Sequence, residues 1–155
     1  FAALLISLPL TLSAALAGEV VGAKMLNKHP ENRKFRNVFH PRIIKVKRGD
    51  TVNFISVKKG HNTESIKKMI PEGAQNWKSK ISKDFEVKFD KPGIYGYRCA
   101  SHVTLGMVGL IIVEAEGMTE NLEAARKLKH RGKAKKVWEE IWQEVDEKGL
   151  LKPTT

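Results

Sequence analysis

Four side chains of this sequence could bind one soft metal ion. Cys99, His102 and Met107 form the pattern Cys-x2-His-x4-Met, and a further histidine, His61, stands upstream. Two imidazoles, one thiolate and a weak thioether are the ligands typical of an electron-transfer copper site. The thiolate suits both Cu(I) and Cu(II), and the weak thioether adjusts the reduction potential without imposing the geometry that Cu(II) prefers. These residues therefore predict a centre that exchanges single electrons.

The sequence around this motif predicts β-strands on both sides of it. Residues 94–99 alternate between the two faces of a strand, and residues 108–113 form the continuous apolar run of a strand buried on both faces. The motif is therefore a connecting loop, short enough for His102 and Met107 to face one point. Gly106 is expected to let the backbone pass close to that point.

The rest of the chain predicts a mainly β domain with two helices at its end. Residues 18–113 read as short strands separated by turns such as Pro92-Gly93, which is typical of a β-sandwich. The tail then changes to helical spacing. We expect one helix from an N-cap at Thr119 to about His130 and a second from about Lys133 to Lys148, so that helices occupy about 119–148 and cover one face.

The first 17 residues, FAALLISLPLTLSAALA, carry no charged side chain and end in Ala15-Leu16-Ala17. This is the pattern of an apolar secretory segment with a signal-peptidase site, although the usual basic start is missing. We therefore expect a truncated signal peptide over residues 1–17 and a single mature domain over residues 18–155. A membrane anchor is the alternative, but a spanning helix needs about 20 apolar residues.

Charge and cysteine usage narrow the function classes. Lys and Arg total 28 against 17 Asp and Glu, a formal net charge of +11, which favours anionic surfaces as partners. Export and the lack of a nucleic-acid-binding motif argue against nucleic acid. The one cysteine of the chain, Cys99, cannot form an intrachain disulfide, so it is either a buried thiol or a metal ligand.

Beyond the ligands, the sequence resembles the pseudoazurins, which are cupredoxins of bacterial periplasms. The resemblance implies a cupredoxin-like Greek-key β-sandwich of about eight strands with two C-terminal helices, a single type 1 copper ion and a periplasmic location. It extends from residue 18 to about residue 151. Segments that carry it include Met25-Leu26-Asn27-Lys28, Gly49-Asp50-Thr51-Val52, Lys59-Gly60-His61-Asn62, Met69-Ile70-Pro71-Glu72-Gly73-Ala74 and Pro92-Gly93-Ile94-Tyr95-Gly96.

The resemblance also implies roles for residues outside the ligand set. Asn62 is expected to brace the Cys99 loop and to donate its backbone amide to the sulfur, and Asn27 is expected to play a similar supporting part. Electrons are expected to pass through the exposed edge of His102. An apolar patch and a ring of cations would surround that edge, formed by Ile70, Pro71, Met107 and Val108 and by Lys28, Lys59, Lys78 and Arg98 respectively.

The expected partners of a monomeric carrier with this surface are acidic redox proteins, above all copper nitrite reductase, with c-type cytochromes also possible.

Two features depart from the family pattern. Ser101 stands where the family commonly has proline, which leaves the loop freer. Residues 29–36 are longer and more charged than usual and add positive surface.

Three other functions compete with the carrier. A copper enzyme such as a nitrite reductase needs a second copper with its own histidines, and the remaining three, His29, His40 and His130, are scattered singly. A copper chaperone or storage protein usually relies on Met-rich or paired-Cys sites, and the chain has four methionines and one cysteine. The third alternative is a sandwich module without redox activity that binds an anionic partner. We therefore expect a protein that is not an enzyme.

Overall fold

The computed structural model describes residues 17–154, so the predicted signal peptide lies outside the described residues except for Ala17. Eight strands and two α-helices confirm the prediction of a mainly β protein with a helical tail. No helix in residues 17–154 is long and apolar enough to cross a membrane. The elements are β1 (Val20–Lys28), β2 (Arg36–His40), β3 (Ile43–Lys47), β4 (Thr51–Ile55), β5 (Glu64–Ser65), β6 (Phe85–Lys88), β7 (Gly93–Arg98), β8 (Val108–Glu114), α1 (Leu122–Lys127) and α2 (Gly132–Glu147).

The strands form two four-stranded sheets, ordered β2-β1-β4-β6 and β3-β8-β7-β5. The pairs β1–β4 and β3–β8 are parallel, and the other neighbours are antiparallel. Arg98 at the end of β7 pairs with Val108 at the start of β8. This register closes residues 99–107 into one loop at the end of the second sheet, as the sequence predicts.

Aromatic side chains fill the core between the two sheets. Tyr97 is fully buried at its centre, with its ring centroid 4.7 Å from that of Phe39 and 5.1 Å from that of Phe54. Both pairs meet edge to face, the arrangement that aromatic rings favour. Cys99 belongs to the same core cluster, two residues further along the same face. The aromatic core therefore anchors the strand that delivers Cys99 to the loop.

A second core lies between the outer face of the second sheet and the helices. Leu110 and Ile112 of β8 belong to it together with Trp138 and Ile141 of α2, whereas Ile111 of β8 belongs to the core between the sheets. Strand β8 is thus buried on both faces, which its uninterrupted apolar run predicts. The tryptophan stripe of α2 is core packing, so the helix is fixed to the sheet that carries the loop.

Helix α1 is shorter than its sequence pattern predicts. It spans Leu122–Lys127, and Thr119 lies in the preceding turn instead of capping the helix. The late start is explained by Asn121, whose side chain accepts a hydrogen bond from the Ile94 amide at 2.9 Å and donates one to the Ile94 carbonyl at 2.8 Å. This tie to β7 fixes the position of the helix start.

Candidate metal centre

Three of the four predicted ligands meet at the end of the sandwich. One nitrogen or sulfur atom from each of His61, Cys99 and His102 lies within 4.8 Å of the others. The two Nδ1 atoms are 3.2 Å apart, and Cys99 Sγ is 3.5 Å from His102 Nδ1. Side chains separated by about forty positions in the sequence therefore point at one small volume.

Backbone hydrogen bonds fold the loop so that its three predicted metal ligands converge. The Cys99 amide donates to the Met107 carbonyl at 3.0 Å, and the Met107 amide donates to the His102 carbonyl at 3.1 Å. The His102 amide donates in turn to the Cys99 carbonyl at 3.3 Å. Met107 is fully buried. The spacing Cys-x2-His-x4-Met is thus the length that closes this hydrogen-bonded loop.

Helix α2 packs against the loop at Gly106 and Thr104. Gly106 has a positive φ of 91°, and a Cβ atom added to it would lie 2.9 Å from Cγ2 of Val137. The missing side chain of Gly106 thus faces α2, so this glycine lets the loop approach the helix closely. A further close approach brings Gly132, the first residue of α2, against the Thr104 carbonyl.

His61 is held from outside the loop by an asparagine. Its Nε2 atom lies 2.7 Å from Oδ1 of Asn27 on β1. Because an amide oxygen only accepts hydrogen bonds, Nε2 carries the proton and Nδ1 keeps a free lone pair, which points toward His102. Such a partner fixes both the tautomer and the ring orientation of a metal-binding histidine. The side chain of Asn27 therefore acts on His61 and not on the cysteine loop.

The environment of His61 favours its neutral form. His61 is 1% exposed, and this burial, with the neighbouring His102 as the smaller cause, lowers the pKa of His61 from its ordinary value. A histidine must be deprotonated at the coordinating nitrogen before it can bind a metal. The site therefore favours the protonation state that ligation requires.

Asn62 connects the His61 segment to the cysteine loop. Its Oδ1 atom accepts a hydrogen bond from the Ala100 amide at 2.8 Å, and its Nδ2 atom donates to the Ser79 carbonyl at 3.4 Å. This is the predicted bracing contact. The expected bond from the Asn62 amide to the Cys99 sulfur is not among the hydrogen bonds of residues 17–154.

The hydroxyl of Ser101 lies beside the Cys99 sulfur. From the sequence, Ser101 is notable only because it stands where the family commonly has proline. Ser101 Oγ is 3.6 Å from Cys99 Sγ and 3.3 Å from the Gly60 carbonyl oxygen. The signal that could have revealed it is a hydroxyl residue two positions after the cysteine, within a tightly turned loop. Ser101 thus joins the groups that surround the donor atoms.

The donor set fits copper. A thiolate and two imidazoles with a buried thioether beside them match the His2Cys trigonal arrangement with a weak axial methionine. No carboxylate belongs to the cluster within the described residues, and Cys99 is a buried free thiol. Hard oxygen-seeking cations such as Mg²⁺ would find no suitable ligands here. A soft or borderline ion such as copper is therefore the metal that these ligands suit.

Comparisons with known proteins agree with this donor chemistry. The family model for copper binding proteins, plastocyanin/azurin family, matches residues 24–114. The pseudoazurin of Methylorubrum extorquens is 38% identical over 144 residues, 93% of each chain. That of Paracoccus pantotrophus is 40% identical over 72% of this chain and 73% of its own. The solved pseudoazurin of Sinorhizobium meliloti superposes with a TM-score of 0.76 at 41% identity, covering 82% of this chain and 96% of its own.

The chain belongs to the plastocyanin/azurin family of copper-binding proteins. Within it, the relatives that match most of its length are pseudoazurins, and the cupredoxin fold and the copper cofactor that the resemblance implied are confirmed. This membership supports the class of blue copper electron carriers for the chain.

The four cations that the resemblance placed around the copper site differ in whether they form salt bridges with carboxylates. In residues 17–154, no carboxylate forms a salt bridge with Lys28 or Lys59, and both are exposed. Arg98 and Lys78 instead share the carboxylate of Glu64, at 2.7 Å and 3.5 Å. Glu64, which the sequence analysis did not single out, therefore offsets one positive charge beside the copper loop.

The structure corrects the predicted apolar docking patch. Pro71 is buried against Gly93, where an added Cβ would lie 2.3 Å from its Cγ atom. Gly93 begins β7, six residues before Cys99, which corresponds to about 20 Å along an extended strand. Met107 and Val108 are also buried, and the exposed apolar side chain of the loop is Leu105, at 47% exposure. Pro71 thus lies away from the site because it packs at the opposite end of the sheet.

Proposed function

We propose that this cupredoxin is a periplasmic one-electron carrier whose copper is held by Nδ1 of His61, Sγ of Cys99, Nδ1 of His102 and the thioether of Met107. A bound copper ion supplies the redox chemistry, because it alternates between Cu(II) and Cu(I). The observation that carries the proposal is the convergence of two imidazole nitrogens and one thiol within 4.8 Å, in a cluster to which none of residues 17–154 adds a carboxylate.

The chain holds its donor atoms in place before any metal arrives. Asn27 orients the His61 ring, Asn62 braces the loop at Ala100, and Cys99 is itself fully buried in the aromatic core. Such support keeps donor positions nearly constant, because each group is fixed by packing and by hydrogen bonds. A site that moves little between two charge states transfers electrons with little rearrangement, which suits a carrier.

His102 offers the path by which an electron leaves. It is half-buried, whereas His61 is 1% exposed. Nδ1 of His102 faces the other donors, so the opposite edge of its ring faces outward, next to the exposed Leu105. A partner that docks over this end of the molecule would therefore meet the imidazole edge of His102.

Positive charge at this end favours an acidic partner. Lys28 follows Asn27, and Lys59 lies two residues before His61, so both unpaired cations flank residues of the site. The net charge of +11 adds a long-range attraction to anionic proteins. We therefore propose acidic redox proteins as partners of the monomer, copper nitrite reductase first and c-type cytochromes second. The charge-free, apolar segment of residues 1–17 supports export to the periplasm.

The visible spectrum of the copper-loaded protein tests the carrier. We expect an intense thiolate-to-Cu(II) band that ascorbate bleaches and air restores over repeated cycles. Cys99→Ser and His61→Ala should abolish the band, while His40→Ala, a control histidine outside the cluster, should keep it. A colourless Cu(II) complex of high affinity would refute the carrier and favour copper storage or delivery.

Salt dependence tests the partner class. The second-order rate of electron transfer to an acidic nitrite reductase should fall as ionic strength rises, since salt screens exposed charges over about 10 Å at 0.1 M. Lys59→Gln should lower the rate at low salt. Lys47→Gln, which removes an exposed cation at the opposite end of the second sheet, is the matched control. Equal rates for both variants would contradict docking at the copper end.

A further inference from the structure

We propose that the hydroxyl of Ser101 donates a hydrogen bond to the Cys99 sulfur in the metal-loaded protein and thereby shifts the balance between the two oxidation states. The inference rests on the proposed function, because it requires Cys99 to be the copper thiolate. It starts from two distances: Ser101 Oγ lies 3.6 Å from Cys99 Sγ and 3.3 Å from the Gly60 carbonyl oxygen.

The number of available protons decides the direction of the Ser101–Cys99 bond. A hydroxyl has one proton to donate, and a thiol has one as well, so in the metal-free protein either atom can be the donor. A metal-bound thiolate has lost its proton. The hydroxyl of Ser101 is then the sole donor between the two atoms, and an ionised acceptor attracts it more strongly than a neutral carbonyl does.

The position of Ser101 makes this contact specific. Cys99 is fully buried and Ser101 is exposed, so the hydroxyl stands between the sulfur and the solvent. The Ala100 amide between them is already used by Oδ1 of Asn62 at 2.8 Å. This bond fixes the backbone between the two residues and keeps the hydroxyl within reach of the sulfur.

The hydrogen bond would favour the reduced state. Cu(II) withdraws more charge from a thiolate than Cu(I) does, so the sulfur is the better acceptor after reduction. Hydrogen bonds to a ligating sulfur are a known lever on reduction potential. Loss of the hydroxyl should therefore stabilise the oxidised form relative to the reduced form and lower the potential.

A pair of variants with the same shape isolates the hydroxyl. Ser101→Thr keeps it, and Ser101→Val replaces it with a methyl group on the same branched side chain. We expect the Cu(I)-to-Cu(II) ratio at a fixed applied potential to be about tenfold lower in the valine variant than in the threonine variant, about 59 mV for a one-electron couple. Ser101→Ala should follow valine, which excludes an effect of branching.

A second measurement separates a bond to sulfur from a mere tether to Gly60. Pulsed electron–nuclear double resonance on the Cu(II) protein in H2O and D2O detects exchangeable protons near the thiolate. We expect one such proton in the parent and in Ser101→Thr that is missing from Ser101→Val. Equal potentials and equal proton signals in the two variants would overturn the proposal while leaving the carrier intact. A parent protein without the thiolate band would overturn both.

Discussion

Asn27 offers the sharpest test of how the site is built, because it is the residue that fixes the His61 ring. Its Oδ1 atom lies 2.7 Å from His61 Nε2, and His61 is 1% exposed. Asn27 itself is exposed, and replacing it with leucine removes the acceptor while placing an apolar side chain of similar size beside His61 Nε2. A buried donor left without a partner costs about 1–3 kcal/mol. Supporting partners of this kind change metal affinity by about 10–100-fold.

We therefore expect Asn27→Leu to weaken copper binding by about 10–100-fold, and Asn27→Ala by less, because water can replace the amide oxygen in the smaller variant. Competition with a chelator of known affinity measures the change. Asn76→Leu is the matched control, since its Oδ1 atom accepts a hydrogen bond from the Ser65 hydroxyl at 3.2 Å, away from the ligand cluster. Parent-like affinity in Asn27→Leu would refute the idea that this asparagine prepares His61 for ligation.

Three further predictions concern charge, packing and pH. Glu64→Gln should remove the negative charge that pairs with Lys78 and Arg98. The low-salt association rate with an acidic partner should then rise several-fold and depend more steeply on salt, whereas Glu86→Gln on the other sheet should change neither. Gly109→Ala should lower the free energy of unfolding by about 1–3 kcal/mol in urea titrations, since its Cβ would lie 2.3 Å from the Tyr97 ring; unchanged stability would show that the ring yields freely. Burial lowers the pKa of His130 from its ordinary value of 6.5, so its contribution to stability is complete above that pH and is lost as the pH falls. The unfolding free energy of metal-free protein should therefore drop less between pH 7.5 and pH 5 in His130→Gln than in the parent, and parallel curves would contradict this.

Electrostatics at the copper end illustrates what a sequence pattern leaves open. The sequence does not distinguish the four predicted cations of this end. In the structure Lys78 and Arg98 share the carboxylate of Glu64, whereas Lys28 and Lys59 do not. The pairing arises because Glu64 and Arg98 are cross-strand partners in the β5–β7 register. Registers of this kind join residues far apart in the chain, so charge composition alone cannot reveal which cations are free.

Packing decides which apolar side chains are exposed at the copper end and which are buried elsewhere. Pro71 belongs to a segment typical of pseudoazurins, but its side chain is buried beside Gly93 at the far end of β7. A hydrophobic side chain is buried in the part of the core that its segment contacts, and those contacts are defined only in the folded chain. The late start of α1 has a similar origin, because the bonds of Asn121 to Ile94 fix the chain just before Leu122.

By itself, the sequence determined the features that depend on near neighbours. The spacing from Cys99 to Met107 and the double-sided apolar run of β8 follow from loop length and strand periodicity, which are local properties. The tertiary structure alone decided which nitrogen of His61 is free, since that depends on Asn27 from a distant strand, and where the Ser101 hydroxyl lies. The physical reason is that hydrogen-bond partners and burial are set by contacts in space, which the order of residues does not record.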